Sequence, residues 1–340
     1  MTSAAMTAVE YHLPERTLSN SDLTREFPDW SVERIAEKTG IDSRHIAADN
    51  ECSSDLAAAA AERLFQAGVD RTAIDYVLFC TQSPDYFLPT SACVLQDRLG
   101  IPTSAGALDF NLGCSGYVYG LGIAKGLIET GQASKVLLLT GETYSKMLAQ
   151  DDRSVRTLFG DAGSATLVEA VETAASAPPM IGPFVYGTDG AGARNLIVES
   201  GAFRKPLAQA GPAAAAAGAP ARPTLFMDGG EIFAFTLSTV PKALAELLRR
   251  ADIKADDVDL FVFHQANRHM LEYLRRKSGI PEEKFLVHLS ACGNTVSATI
   301  PITLREAQRT GRLTTGAVLA LVGFGVGYSW AAALCRWGGH

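Results

Sequence analysis

Two distant stretches of the chain carry the same run of apolar and polar positions. SSDLAAAAAERLFQ (53 to 66) has apolar residues at helical spacing and few helix breakers, and it predicts an amphipathic helix. AGVDRTAIDYVLFC (67 to 80) follows and ends in a short apolar run typical of a buried strand. The pattern returns as STVPKALAELLRR (238 to 250) and ADIKADDVDLFVFH (251 to 264), which aligns without a gap so that Asp75 falls on Asp259 and Phe79 on Phe263. Downstream, NLGCSGYVYGLGIAKGLIETG (111 to 131) faces SACGNTVSATIPITLREAQRTG (290 to 311), and KVLLLTG (135 to 141) faces GAVLALVG (316 to 323). Each half therefore reads helix, buried strand, special residue at a helix start, helix, buried strand. This predicts an α/β protein of two similar halves packed face to face, with the division near residues 175 and 176.

Composition narrows the function only slightly. The chain has 340 residues, 47% hydrophobic and 20% charged, with a formal net charge of −7. The acidic balance argues against a general nucleic-acid binder. The N-terminal residues have neither a basic start nor an apolar run, so no signal peptide is expected. The richest apolar stretch, 316 to 334, is broken by glycines and reads as strand, turn, strand rather than a membrane span. Six scattered cysteines without a CxxC pair fit free thiols in a reducing cytoplasm, and no metal site is expected.

The candidate chemistry lies where the repeat places polar residues. Cys114 stands between Gly113 and Gly116 at a strand-to-helix turn, and Asn294 occupies the matching place in the second half. A helix N-terminus has unpaired N–H groups and the positive end of the dipole, so a lowered thiol pKa is expected for Cys114. His264 ends the strand LFVFH at the position of Cys80. If the halves pack by pseudo-symmetry, Cys114, His264 and Asn294 converge, and that set points to covalent acyl transfer.

GCSGYVYGL, HQANRHML (264 to 271) and GNTVSATIP (293 to 301) resemble the three active-site motifs of the β-ketoacyl-acyl-carrier-protein synthase III enzymes of the thiolase superfamily. The resemblance extends along nearly the whole chain through EKTGIDSRHIA, YFLPTSACVLQDRLGI, RSVRTLFGDAGSATLV and GFGVGYSWAAAL. It implies a thiolase-like fold with layers α-β-α-β-α. It also implies a decarboxylating condensation of an acyl-CoA with a malonyl-acyl-carrier protein through an acyl-cysteine. Cys114 would be the nucleophile, His264 and Asn294 would stabilise the enolate, and the backbone N–H groups of Cys114 and Val326 would form the oxyanion hole. Leu88, Phe159 and Phe324 would shape the acyl pocket. Arg34, Lys38, Arg153, Gly229 and Gly230 would meet CoA or its pantetheine arm, with Arg34 standing where relatives carry an adenine-stacking tryptophan. Arg268, Arg275, Arg276 and Lys277 would receive an acidic carrier protein. The resemblance implies no cofactor beyond CoA thioesters as substrates. It further implies a homodimer in which KVLLLTG pairs with its copy. Two other readings use the same residues: transfer of the acyl group to a hydroxyl or amine, and a non-catalytic acyl- or carrier-binding subunit. The alanine- and proline-rich insert 202 to 223 reads either as a surface loop or as a flap over the acyl tunnel.

Overall fold

The computed structural model describes residues 1–174, 176–207 and 222–339. The first half supplies β1 (Thr2–His12), α1 (Val32–Thr39), α2 (Ser53–Gln66), β2 (Tyr76–Cys80), α3 (Ser91–Arg98), β3 (Gly106–Phe110), α4 (Gly116–Glu129), β4 (Lys135–Glu142) and β5 (Ala162–Glu172). The second supplies β6 (Ile181–Thr188), α5 (Gly229–Ala251), β7 (Leu260–Phe263), α6 (Arg268–Lys277), α7 (Thr299–Arg309), β8 (Val318–Gly325) and β9 (Ser329–Arg336).

The two sheets have the same wiring. The first runs β1-β5-β4-β2-β3, and the second runs β6-β9-β8-β7. In both, the first two pairings are antiparallel and the next is parallel. A single parallel bridge, Phe261 to Phe285, stands where β3 would lie in the second sheet. The matched aspartates perform the same task in each half. Asp75 accepts from Ser134 N and Lys135 N at the start of β4, and Asp259 accepts from Val318 N at the start of β8. Each caps strand donors that its neighbours leave open, which is why the repeat preserves the acid at this point.

Helices α2 and α3 cover the outer face of the first sheet, and α5 and α6 cover the outer face of the second. Between the sheets lie α4, which touches strands of both, and α7, which touches β1, β5 and β7. The layers are therefore α-β-α-β-α. The faces of the middle layer turned to the sheets are apolar: Val118, Leu121, Ile300 and Leu304 pack with Leu138 and Leu321 in one buried cluster. Burying one such side chain contributes about 1.5–3 kcal/mol. Among the described residues, no helix is long and apolar enough to cross a membrane.

Two expectations are corrected here. The second-half helix begins at Gly229, well before Ser238, because Asp228 caps it by accepting from Gly230 N and Glu231 N, and the helix continues through Pro241. The strand KVLLLTG cannot pair with a copy of itself, since β4 is bonded to β5 on one side and β2 on the other. The open edge on that side of the sheet is β3, one strand further out past β2, where Leu108 is 42% exposed.

Candidate active site

The expected nucleophile lies just before the inner helix. Cys114 precedes Ser115, the cap of α4, and is 6% exposed. The turn between β8 and β9 passes directly over it. A Cβ at Gly325 would stand 3.0 Å from Cys114 Sγ, and one at Gly113 would stand 2.9 Å from Val326 Cγ1, so both positions must lack a side chain. A hydroxyl brace holds this turn: Ser115 Oγ and Ser329 Oγ are 2.6 Å apart, and Ser329 Oγ donates to Val326 O at 2.9 Å. Val326 is thereby fixed beside the cysteine through its own carbonyl.

The second-half groups gather around Val296. Asn294 Oδ1 accepts from Val296 N at 3.0 Å, which leaves the amide NH₂ as the free end. The Val296 carbonyl accepts from Thr299 Oγ1 at 3.0 Å, and that same oxygen lies 2.8 Å from His264 Nδ1. The Val296 side chain packs in the same apolar cluster as Cys114 and Phe159. All three expected groups therefore meet at one residue, which sits at a φ of 55°. For a buried β-branched residue that is a strained backbone, at a cost of order 1–3 kcal/mol. The main chain braces it from the first half: Asn294 N donates to Leu158 O, and Gly160 N donates to Asn294 O. Nearby, the buried Arg44 donates to Thr157 O and packs against Gly160 and Gly293.

A buried acid ties the halves together behind this seam. Glu142, at the end of β4, accepts from Gln82 N at 3.1 Å and from Ser297 Oγ at 3.0 Å. Burial raises its carboxyl to about 8. The Cys114 thiol is pushed up to about 12, first by burial and then by Glu142. The lowered thiol pKa expected from the helix start is thus overturned: α4 begins two residues later, and the desolvation of a thiolate outweighs the dipole. Burial pushes His264 down to about 3, so its imidazole is neutral.

A cavity of about 1060 Å³ opens alongside, lined by Gln82, Leu88, Tyr144, Leu196, Leu225 and Val326 among others. Tyr144, Leu196 and Leu225 also belong to the apolar cluster around Cys114. Phe159 is buried in that cluster, with its ring 5.2 Å from Tyr144. Leu88 is at the rim and 81% exposed. Phe324 lies elsewhere: it belongs to the second-half core, and its ring edge meets His264 at 5.5 Å, so it orients the imidazole instead of walling the cavity.

The remaining candidates fall on the surface. Arg34, Lys38 and Arg153 surround Trp30, with their charges 5.3, 5.2 and 5.7 Å from its ring. Sequence reasoning placed no aromatic there; Trp30 lies just before Ser31, the cap of α1, while Arg34 and Lys38 are four apart on that helix. Gly229 and Gly230 are exposed at the start of α5, where Asp228 already takes the Gly230 N–H. Arg268, Arg276 and Lys277 are exposed on α6. Arg275 is corrected: its guanidinium is turned inward to Glu272 and Ile280 O, so its charge is not open to a partner. Residues 208–221, the middle of the insert, lie outside the described residues, and with them the loop and flap readings. Among the described residues, no three His, Cys, Asp or Glu side chains gather as metal ligands would.

Two stacked lobes with a buried cysteine, imidazole and amide at their seam define an acyltransferase of the thiolase fold. The comparisons with known proteins agree. Residues 108–190 match the model for 3-oxoacyl-[acyl-carrier-protein (ACP)] synthase III, and residues 248–337 match the model for its C-terminal part. The β-ketoacyl-[acyl-carrier-protein] synthase III of Caldanaerobacter subterraneus is 35% identical over 96% of this chain and 95% of its own length. A crystal structure of a 3-oxoacyl-(acyl-carrier-protein) synthase III is 52% identical with a TM-score of 0.93, covering 98% of this chain and all of that one (100%). A priming β-ketosynthase of the R1128 polyketide pathway is 30% identical with a TM-score of 0.87, over 99% and 96% of the two chains. The chain belongs to the 3-oxoacyl-[acyl-carrier-protein] synthase III family, and with it is a condensing enzyme of fatty acid biosynthesis.

Proposed function

We propose that this enzyme takes an acyl group from acyl-CoA onto Cys114 and condenses it with the malonyl unit of a malonyl-acyl-carrier protein. Cys114 Sγ attacks the thioester carbonyl, the bond to the CoA sulfur breaks, and the thiol proton ends on the departing CoA. In the malonyl unit the bond to the carboxylate breaks, carbon dioxide leaves, and the electron pair moves into an enolate. Asn294 Nδ2 and His264 Nε2 donate to the thioester oxygen where that charge develops. The carbanion attacks the acyl-cysteine, and the backbone N–H groups of Cys114 and Val326 hold the oxyanion until the carbon–sulfur bond breaks, its electron pair returning to Cys114 Sγ, which takes up a proton from water to regenerate the thiol. The observation that carries this reading is the meeting of Cys114, Asn294 and His264 around Val296.

The surface features support the substrates. Trp30 with Arg34, Lys38 and Arg153 offers an aromatic face and cations to the adenine and phosphates of CoA. Arg268, Arg276 and Lys277 offer a cationic rim to an acidic carrier protein, while the inward-facing Arg275 contributes none. Six free thiols suit a reducing cytoplasm. The test is mass spectrometry of the Cys114 peptide after exposure to a series of acyl-CoAs, with carbon dioxide measured on adding malonyl-carrier protein. Acylation followed by carbon dioxide release is the expected result. Transfer of the acyl group to a hydroxyl or amine without carbon dioxide would overturn it.

The working form in this reading is a homodimer joined through β3. Beside that open edge, Tyr86, Phe87 and Leu88 are 60%, 75% and 81% exposed, an apolar patch of the kind that marks an interface. Leu88 then reaches the partner's acyl pocket, and Leu88→Trp should shorten the acyl chains accepted. Sedimentation showing an active monomer at micromolar concentration, or an unchanged chain-length profile in the variant, would refute this.

A further inference from the structure

The wall of the large cavity is not uniform. Leu196, Val198 and Leu225 give it the apolar surface that a hydrocarbon chain needs. Gln82 breaks that pattern with a primary amide. A Cβ added at Gly113 would clash with this amide, and Gly113 immediately precedes Cys114, so the amide lies at the thioester end of the cavity. Its place is held at three points. Tyr144 Oη donates to Gln82 Oε1 at 2.6 Å, Gln82 Nε2 donates to Asn111 Oδ1 at 3.1 Å, and the main-chain Gln82 N donates to Glu142 at 3.1 Å. Tyr144 is itself buried in the cluster around Cys114, with its ring against Phe159.

A primary amide has two N–H donors and an oxygen with two lone pairs. Tyr144 uses one lone pair and Asn111 uses one N–H, so one N–H and one lone pair of Gln82 are left without a partner among the described residues. Turning the amide over, with Asn111 turned likewise, leaves the same remainder: one N–H would go to the Tyr144 oxygen, and the Gln82 oxygen would accept from the Asn111 NH₂. A hydroxyl is donor and acceptor at once and matches both free positions. A methylene matches neither.

We propose that Gln82 is a specificity-determining residue that selects an acyl chain carrying a hydroxyl close to its thioester carbonyl. The inference rests on the reading above, in which Cys114 takes its acyl group from CoA. The free Gln82 N–H donates to the substrate hydroxyl oxygen, and the Gln82 oxygen accepts the hydroxyl proton. A plain chain of the same length displaces water from the amide and gives nothing back, and polar groups left unpaired in this way are what lets a hydrogen-bonding pocket discriminate. Because the amide is already braced by Tyr144, Asn111 and its own main chain, little ordering is needed when the substrate arrives. The apolar remainder of the cavity takes the tail beyond the hydroxyl.

The test compares butyryl-CoA with 2-hydroxybutyryl-CoA and 3-hydroxybutyryl-CoA, following acylation of Cys114 by intact mass at subsaturating substrate. Wild type should take one of the hydroxylated chains about tenfold faster than butyryl, the scale of one hydrogen bond. In Gln82→Met, which keeps the side-chain length without the amide, that ratio should fall to about one. If the unpaired Tyr144 hydroxyl unfolds this variant, the pair Gln82→Met and Tyr144→Phe, which removes both partners, replaces it. The inference is overturned if wild type takes butyryl as fast as both hydroxylated chains. It is equally overturned if the variant is slower with all three and keeps the wild-type ratio, which marks a purely structural role. Selectivity is read before any condensation. A wild-type enzyme that shows the preference yet releases no carbon dioxide with malonyl-carrier protein therefore overturns the condensing reading and leaves the Gln82 assignment supported. One that takes no acyl group from any of the three overturns both.

Discussion

Cys114→Ser is expected to take up no acyl group from acyl-CoA on the timescale of the wild-type enzyme, a loss of roughly three orders of magnitude or more. The reason lies in the burial of the position. Burial and Glu142 already push the thiol up to about 12, so even sulfur attacks only at the cost of giving up a reluctant proton. A serine hydroxyl is far less acidic than a thiol and its alkoxide is more strongly desolvated, so the same site gives it no route to a nucleophile. Its fold should be unaffected, because oxygen fits where sulfur did. Intact-mass detection of acyl-enzyme checks this, and acylation of the serine variant at the wild-type rate would refute the assignment. The same burial sets the sign of a pH dependence. Below its pKa a thiol gains about tenfold in thiolate per pH unit. Alkylation of the wild-type Cys114 peptide by iodoacetamide should therefore climb steadily from pH 7 to 9, whereas a plateau near neutrality would mean a thiolate already formed.

Asn294→Ala should cut carbon dioxide release from the malonyl unit by about 100- to 1000-fold, the cost typical of removing one donor from a developing oxyanion. Acylation of Cys114 should change only a few-fold, because the amide has no part in that half-reaction. The seam should survive the substitution. Asn294 is bonded to Leu158 and Gly160 through its main chain, and alanine keeps both bonds. What alanine loses is the side-chain oxygen held by Val296 N and the NH₂ that this contact leaves free. Acylation measured by mass and decarboxylation measured as carbon dioxide separate the two effects. If both fell together, the division of roles between Cys114 and Asn294 would be wrong.

Much of the architecture was legible because burial writes a regular pattern. The paired apolar runs and the matched Asp75 and Asp259 predicted two lobes of one design, and the sheets have that shared order. The pivotal residues of the site were harder to see. Val296 adopts a left-handed backbone that nothing in a β-branched side chain predicts, and Thr299 reaches His264 only once the chain has folded. Glu142 follows the run KVLLLTG as a single acid with no motif around it, and its link to Ser297 crosses between the halves. Trp30 sits in the turn before the Ser31 cap of α1, where no periodic pattern marks it, and it meets Arg34 only in the folded chain. The error over the thiol has a plain cause: the dipole of a helix start is visible in a sequence, while the desolvation that outweighs it depends on everything packed around the sulfur.

The repeat has a consequence for how such chemistry can exist at all. Cys80 and His264 end corresponding strands, while Cys114 and Asn294 precede corresponding inner helices, and one seam receives them. Two identical half-chains related by true two-fold symmetry would place the same residue on both sides of that seam, cysteine facing cysteine or amide facing amide. Condensation needs unlike partners, a group that carries the acyl chain and a group that steadies an anion. Joining the lobes in a single polypeptide frees each side to hold a different residue, so the divergence of the two halves supplies the unlike groups that the reaction needs.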